Sequence, residues 1–236
     1  MREQMRQMTV SSEEVHKLLL ARGWMAGQPP ALQQAILRHG RIRHLSPSAH
    51  IFLRGDEPDG IYAVVQGQIK LVHILPEGQE VILWAAEPGF WFGIRDLVVP
   101  HAVRYAAAVA TRATTVFHLP KRALLDLVAA DPGYAINFAG IMGENALLAL
   151  RYISEVLSQS TELRVARLLA LLCETAGADG LGRHELQLSQ QDLAAMVGAS
   201  RVTVGKALRK LAAARLISIR YRRIAVLDLP RLAAGA

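Results

Sequence analysis

Leu188-Ser-Gln-Gln-Asp-Leu-Ala-Ala-Met-Val-Gly-Ala-Ser-Arg-Val-Thr-Val-Gly-Lys-Ala-Leu-Arg-Lys-Leu211 is the most patterned stretch of this chain. Ser189 stands where a helix N-cap belongs, and Leu193, Ala194 and Val197 line one side of the short helix that follows. Gly198 sits where a tight turn needs a left-handed residue. Ser200 then caps a second helix, whose core stripe is Val204, Leu208 and Leu211, spaced 4 and 3. Its other face presents Arg201, Val202, Thr203, Lys206, Arg209 and Lys210. Two short helices joined through a glycine, the second cationic outward, read as a helix-turn-helix. A helix of that kind fits a DNA major groove with its first residues at the base edges.

Each exposed residue has a chemistry that can be assigned. Arg201 can donate two hydrogen bonds to guanine O6 and N7. The side chain of Val202 neither donates nor accepts, so its only base contact is a thymine methyl. Lys206 reaches a base or a phosphate, and Ser200 and Thr203 stand beside it at the helix start. Ser189, Gln190 and Gln191 open a helix and suit phosphate anchoring. Downstream, Leu216-Ile-Ser-Ile-Arg-Tyr-Arg-Arg-Ile-Ala-Val-Leu-Asp228 reads as two alternating strands around a basic turn. It looks like a wing whose tip lies on phosphate, with Arg222 and Arg223 as DNA contacts.

Charge supports that assignment. From Ser160 to the end there are 12 Lys and Arg against 6 Asp and Glu, whereas Met1 to Gln159 holds 15 against 14. The basic excess is concentrated in the last third, as a polyanion partner requires. A competing reading, a ligand-binding or protein-interaction module whose C-terminal hairpin merely packs, predicts weak and salt-insensitive DNA affinity.

Upstream the periodicity changes twice. Ser11-Ser12-Glu13-Glu14 opens a helix leading to Val15, Leu18 and Leu19, and Pro29-Pro30 introduces another through about Arg38. Short β-rich runs then recur: His50–Leu53, Ile61–Gln66, Gln68–Leu75, Glu80–Ala86, Val103–Ala110 and Ala113–His118, separated by glycine turns. This texture predicts an antiparallel sandwich or barrel. Lys121–Ala130 reads as a helix stopped by Asp131-Pro132, followed by a long helix from about Gly133 to Leu157. On the long helix Phe138, Met142, Ala149, Ile153 and Val156 form a heptad-like stripe, spaced 4, 7, 4 and 3. The expected role is dimerisation, with one face on its own barrel and one on a partner helix; burial wholly within one chain is the alternative. The polar break Ser158-Gln159-Ser160-Thr161 leads to a helix over Glu162–Thr175 and a glycine-rich exposed loop ending at Gly182.

The fold class is therefore α+β: N-terminal helices over 1–41, an antiparallel sandwich or barrel over 42–130 (a jelly-roll-like β-roll sensor domain by the family resemblance given next), a dimerisation helix over 131–158 and a winged helix-turn-helix over 159–236. Cys173 is the single cysteine, so neither an internal disulfide nor an iron–sulfur cluster is expected, and it reads as a small core residue. The start shows no signal peptide, and no run of 18 apolar residues suggests a membrane span, so a soluble cytoplasmic protein is expected. There is no nucleotide-binding glycine loop, metal-ligand cluster or nucleophile elbow, which argues against an enzyme. Trp84, Phe90, Trp91 and Phe92 suit either an apolar pocket or plain core.

The C-terminal stretch Gln191–Lys206 and Leu216-Ile-Ser, with Gly55-Asp-Glu-Pro, Ile61-Tyr-Ala-Val-Val-Gln-Gly-Gln-Ile-Lys and Pro88-Gly-Phe-Trp-Phe-Gly, resembles the CRP/FNR family of bacterial regulators from about Leu45 to Leu227. The resemblance implies a cyclic-nucleotide-binding-like β-roll, a long dimer helix and a winged helix-turn-helix. It also implies a homodimer on pseudo-palindromic promoter sites, contact with RNA polymerase, most often as an activator, and a small-molecule effector. The implied ligand pocket takes in Trp91, Gly93, Ile94, Arg104, Tyr105 and Ala149. Cyclic-AMP binders of the family follow the pocket glycine with a glutamate; here Gly93 is followed by Ile94. The phosphate-holding arginine is matched by Arg104. The small hydroxyl residue after it is replaced by Tyr105, and the two hydroxyl residues that meet adenine by Ala149 and Leu150. Cyclic AMP is thus not the expected effector. Haem would need an axial ligand, and His50, His73, His101 and His118 are scattered. In the DNA-reading helix Val202 replaces a cytosine-reading glutamate, so the expected half-site differs from the cyclic-AMP type.

Overall fold

Alternation along the strands decides how the N-terminal part is layered, because successive side chains in a strand point to opposite faces. The computed structural model describes residues 11–157, 160–176 and 184–234, apart from the side chain of Val156. The glycine-rich loop expected after Ala176 and the residues Ser158 and Gln159 of the polar break lie outside the described residues. The chain divides into two compact units: Met1–His73 with Ala85–Ala146, and Ile74–Trp84 with Leu147–Ala236.

In the first unit, helix α1 (Ser12–Ala21) begins at Ser11, whose hydroxyl accepts from the Glu14 amide while the Glu14 carboxylate accepts from the Ser11 amide. This reciprocal cap satisfies two amides that a helix start would otherwise leave without partners. After a 3-10 turn (Trp24–Gly27), helix α2 (Pro30–His39) carries Pro30 at its first position, where the missing N–H costs nothing. Eight strands follow along the chain: β1 (Arg41–Leu45), β2 (His50–Phe52), β3 (Gly60–Gln66), β4 (Ile69–Ile74), β5 (Glu80–Ala86, most of it in the segment grouped with the second unit), β6 (Trp91–Phe92), β7 (Ala107–Ala110) and β8 (Thr114–Pro120). They form two four-stranded sheets, in the orders β1-β8-β3-β6 and β2-β7-β4-β5. A short helix α3 (Ile94–Val98) is inserted after β6, and helix α4 (Lys121–Ala130) follows β8.

Strands β1 and β6 and helix α3 were not expected as elements. Arg41-Ile-Arg-His-Leu45 is too charged to read as a half-buried strand, and Trp91-Phe92 is too short to show a period. The expected run from Val103 starts late, at Ala107. Before it, Arg104 is paired through its backbone to the Gly55–Asp56 loop, donating from N to the Asp56 carbonyl (2.9 Å) and accepting from the Gly55 amide (2.9 Å).

Strand β3 shows the layering. Ile61, Ala63 and Val65 point into an apolar cluster with Val15, Leu19, Leu32, Ile36, Leu124 and Phe138 from the helices. Between them, Tyr62 points into the roll, 5.8 Å from the Phe52 ring and 5.7 Å from the Phe92 ring. Trp91 belongs to the helical cluster, edge-on to Trp24 at 5.2 Å.

Helix α5 (Tyr134–Val156) has two kinds of surface. Phe138 and Ile141 are buried, and Phe138 stacks on Trp24 at 5.6 Å. Phe138 is therefore core and not part of a dimer stripe. A second row of residues shares the exposed surface with the rest of the expected stripe. Ile136, Ala139, Gly143, Ala146, Leu150, Ile153 and the following Leu157 are all exposed, and their spacing alternates 3 and 4 without interruption. Ile136 is 77% exposed and Leu150 63%. Met142, Ala149 and Ile153 are exposed as well, while the Val156 side chain lies outside the described set.

The second unit is built on helix α6 (Thr161–Ala176), with Val165, Leu168, Leu169, Leu172 and Cys173 buried. Burial pushes the Cys173 thiol up to about 12, and the Glu174 carboxylate adds to the shift, so the group stays a neutral core side chain. Strand β9 (His184–Leu186) pairs with β11 (Arg223–Val226), which pairs with β10 (Ile217–Arg220). Helices α7 (Gln190–Val197), α8 (Arg201–Ala213) and α9 (Leu229–Ala234) complete the unit.

Candidate functional site

Helix α7 starts at Ser189, whose hydroxyl accepts from the Asp192 amide (3.1 Å), and the Asp192 carboxylate accepts from the Ser189 amide (3.1 Å). It ends at Gly198 with φ 63° and ψ 42°, the left-handed conformation that a side chain disfavours. Arg164 donates to the Val197 carbonyl at 3.0 Å, closing a carbonyl left open at that helix end. Ser200 accepts from the Thr203 amide at 3.1 Å and starts α8. Val204, Ala207, Leu208 and Leu211 lock α8 into the unit.

The opposite side of α8 is free. Arg201, Val202, Thr203, Lys206 and Arg209 are exposed, and Val202, Gly205, Lys206 and Arg209 follow one another at i, i+3, i+4 and i+7 on a single face. No acidic side chain pairs with Arg201, Lys206 or Arg209 among the described residues. Lys210 is different: its ammonium lies 2.7 Å from the Glu162 carboxylate, so it is spent within the unit. Gly205 was not singled out in the sequence. A Cβ there would stand 3.2 Å from the Gln190 side-chain oxygen, so the glycine leaves room for the Gln190 side chain against α8. A glycine in mid-helix was the available signal.

The β10–β11 hairpin turns through Tyr221 and Arg222, with Arg220 opposite Arg223. Arg222 has φ 54° and Tyr221 is 90% exposed. Arg223 is tied to Glu185 at 2.8 Å, which leaves Arg220 and Arg222 as the turn's unpaired cations among the described residues. A cleft of about 420 Å³ runs between the two halves of this surface. Ser189, Gln190 and Arg201 line one side, and Arg220, Tyr221 and Arg222 the other.

Inside the β-roll, Arg104 is 0% exposed. Its Nη2 donates to Asp59 Oδ1 (2.8 Å) and to the Gly60 carbonyl (2.8 Å), and its Nη1 to the Gly93 carbonyl (3.0 Å) and Asp96 Oδ2 (3.4 Å). Its guanidinium carbon lies 4.2 Å from the centre of the Phe52 ring. Burial pushes the Asp59 carboxyl up, but hydrogen bonds from Tyr62 (2.5 Å) and Arg104 and the nearby positive charge outweigh it and hold the group below its ordinary value. Burial, reinforced by Asp59, raises the Tyr62 phenol above its usual range. His118 stacks on Tyr62 at 4.4 Å, and burial lowers it, against the pull of Asp59. Gly93 has φ 92°, and a Cβ there would stand 2.8 Å from Arg104 Nη1.

The residues expected to line a ligand pocket are thus dispersed. Gly93 and Arg104 meet. Trp91 and Ile94 belong to the helix-facing core, because their backbone positions turn them away from the roll's interior, which Phe92 enters instead. Tyr105 is on the surface, stacked on His73 at 4.5 Å. Ala149 is exposed on α5, in the second unit. A cyclic phosphate does not fit the donor set, since two carboxylates already neutralise Arg104. Groups of three or more potential metal-ligating side chains are absent among the described residues, and no helix there is long and apolar enough to cross a membrane.

A two-helix reader with a basic hairpin, in one chain with an antiparallel β-roll, defines a winged-helix DNA-binding regulator rather than an enzyme. Residues 42–131 match the cyclic nucleotide-binding domain model and residues 163–234 the Crp-like helix-turn-helix domain model. The chain belongs to the CRP/FNR family of transcription regulators. It is 26% identical to the CRP-like cAMP-activated global transcriptional regulator of Mycobacterium tuberculosis, over 80% of this chain and 86% of that one. It is 29% identical to the transcriptional regulator LdrP of Thermus thermophilus, over 77% and 90%. FixK2 from Bradyrhizobium japonicum has the same fold, with TM-score 0.72 and 20% identity over 83% of this chain and 96% of that one.

Proposed function

We propose that this regulator acts in the cytoplasm as a homodimer on a pseudo-palindromic promoter site, activates transcription by contact with RNA polymerase, and does not use cyclic AMP as its effector. The division of labour follows the sequence: helices over 1–41, a sensor β-roll over 42–130, a dimerisation helix over 131–158 and the DNA reader over 159–236. The observation that carries the reading is the single exposed, unneutralised face of α8. Arg201 and Lys206 serve as donors to base edges, Val202 as an apolar contact for a thymine methyl, and Thr203 as a polar neighbour at the same edge. Ser189, Gln190 and Gln191 hold the phosphates, and Ser200 fixes the start of the helix. The unbroken apolar seam on α5 supports the dimer, since a 3-and-4 repeat keeps facing a partner helix over its whole length.

The internal neutralisation of Arg104 supports the exclusion of cyclic AMP, because a phosphate would have to displace two carboxylates from a buried guanidinium. An effector of another class remains compatible with the fold. Selection of bound DNA from a random pool, with no ligand added, tests the proposal. A symmetric site with half-sites about one helical turn (roughly 10 bp) apart is expected. Enrichment of an asymmetric site, or of none, refutes it, as does selection that succeeds only when cyclic AMP is present.

A further inference from the structure

The cleft between α7, α8 and the hairpin has a consequence for where the hairpin goes. A duplex has one sugar–phosphate strand between each major groove and the neighbouring minor groove. If α8 lies in the major groove, the strand beside it runs through the cleft, against Ser189, Gln190 and Arg201. Whatever forms the far wall then stands at the adjacent minor groove. That wall is Arg220, Tyr221 and Arg222.

We infer that the tip of the β10–β11 hairpin enters the minor groove flanking each half-site, where Arg222 and Tyr221 make the protein read the A·T content of base pairs that α8 never touches. The inference rests on the DNA-binding reading above and assigns a second reading element to it. It departs from the sequence expectation of a tip lying on phosphate.

Three observations favour this placement. Arg222 holds φ 54°, a conformation that glycine or asparagine takes at lower cost. An arginine kept there trades backbone strain for its side chain, a pattern typical of functional turns. Arg220 and Arg222 have no acidic partner among the described residues, whereas Arg223, facing back along the hairpin, is neutralised by Glu185. The two free guanidinium groups therefore sit at the end, where a narrow groove can take them. Tyr221 is 90% exposed, far more than its ring would prefer in water alone, and it can lie along a groove wall. A narrow A·T-rich minor groove concentrates negative potential and draws arginine in, and the guanine N2 amino group obstructs that groove in G·C pairs.

The test holds the selected half-sites constant and varies only the flanks. Three duplexes are compared: flanks of A·T, of G·C, and of inosine·cytosine, which offers the major groove of G·C and a minor groove lacking the N2 amino group. The expected order is A·T tightest, G·C weaker by roughly tenfold, and inosine·cytosine close to A·T. In Arg222→Gly, which also relieves the turn, and in Tyr221→Ala, the A·T to G·C ratio should collapse towards one. Preference for the half-site over scrambled DNA should persist, which shows that the reader still folds. Affinity indifferent to the flanks overturns the inference, as does inosine behaving like guanine or a flank ratio unchanged in both variants. Those results leave the DNA-binding reading intact. Loss of half-site preference by the parent protein would sink both.

Discussion

Replacing Arg104 by methionine removes the one cation of a buried cluster while keeping a side chain of similar length. Two carboxylates and two carbonyls depend on that guanidinium. Asp96, whose side chain is only 10% exposed, would keep its pair with Arg95 (2.6 Å), and Asp59, at 48%, can rehydrate in part, so each carboxylate loses its buried partner without being left wholly uncompensated. Breaking a buried pair by removing one partner costs about 3–5 kcal/mol, and the remaining Arg95 pair of Asp96 with the exposure of Asp59 places Arg104→Met at the lower end, about 3 kcal/mol. At about 2–4 °C per kcal/mol for a chain of this size, thermal unfolding should fall by roughly 6–12 °C. Arg104→Lys should lie between parent and methionine, because one ammonium cannot reach both carboxylates as a planar fork does. Calorimetry of the ligand-free protein at pH 7 measures this. A companion scan of the parent with millimolar cyclic AMP should show no rise, although a ligand at a hundredfold excess over its dissociation constant would add about 2.7 kcal/mol. An arginine reserved for an incoming phosphate behaves in the opposite way: its loss leaves the ligand-free protein as stable as before, and the nucleotide raises the parent's melting point. That pair of results would refute the reasoning.

Arg201→Ala should cost about 1–3 kcal/mol on the selected site and relax preference at one base pair, measured by titration against single-substitution duplexes; an equal loss on every sequence would mean a phosphate contact instead. Leu150→Glu, placing a charge in the middle of the exposed α5 seam, should turn a dimer into a monomer in sedimentation while each unit keeps its circular dichroism; a variant that still sediments as a dimer would move the interface elsewhere. Asp59 is held below its ordinary value, so its contribution to stability is complete above the unfolded value of about 3.9 and disappears as pH falls through the lower folded value. The stability gap between the parent and Asp59→Asn should therefore narrow on acidification from pH 6 to pH 3 in urea titrations, and a gap that widens would contradict the network.

Much of the molecule could be read from local pattern alone. The capping serines Ser11, Ser189 and Ser200, the turn at Gly198 and the apolar stripe Val204, Leu208 and Leu211 act over a few residues, so sequence spacing carries them directly. The cationic face of α8 follows from the same periodicity. What failed were inferences needing knowledge of which side an element turns to its neighbours. Trp91 and Phe92 are adjacent, yet one joins the helical core and the other the roll, and only the register of β6 on β3 decides which. Phe138 is as apolar as any residue of the α5 stripe, and it is Trp24, 114 positions earlier in the chain, that claims it for the core.

The tertiary structure also decided which charges are free. Arg104, Lys210 and Arg223 look in sequence like Arg201, Lys206 and Arg222. Their carboxylate partners Asp59, Glu162 and Glu185 lie between 38 and 48 positions away. Periodicity reports a side chain's direction relative to its own element. Whether that direction ends in water, in a core or on an opposite charge is set by chain segments that meet only when the whole fold closes.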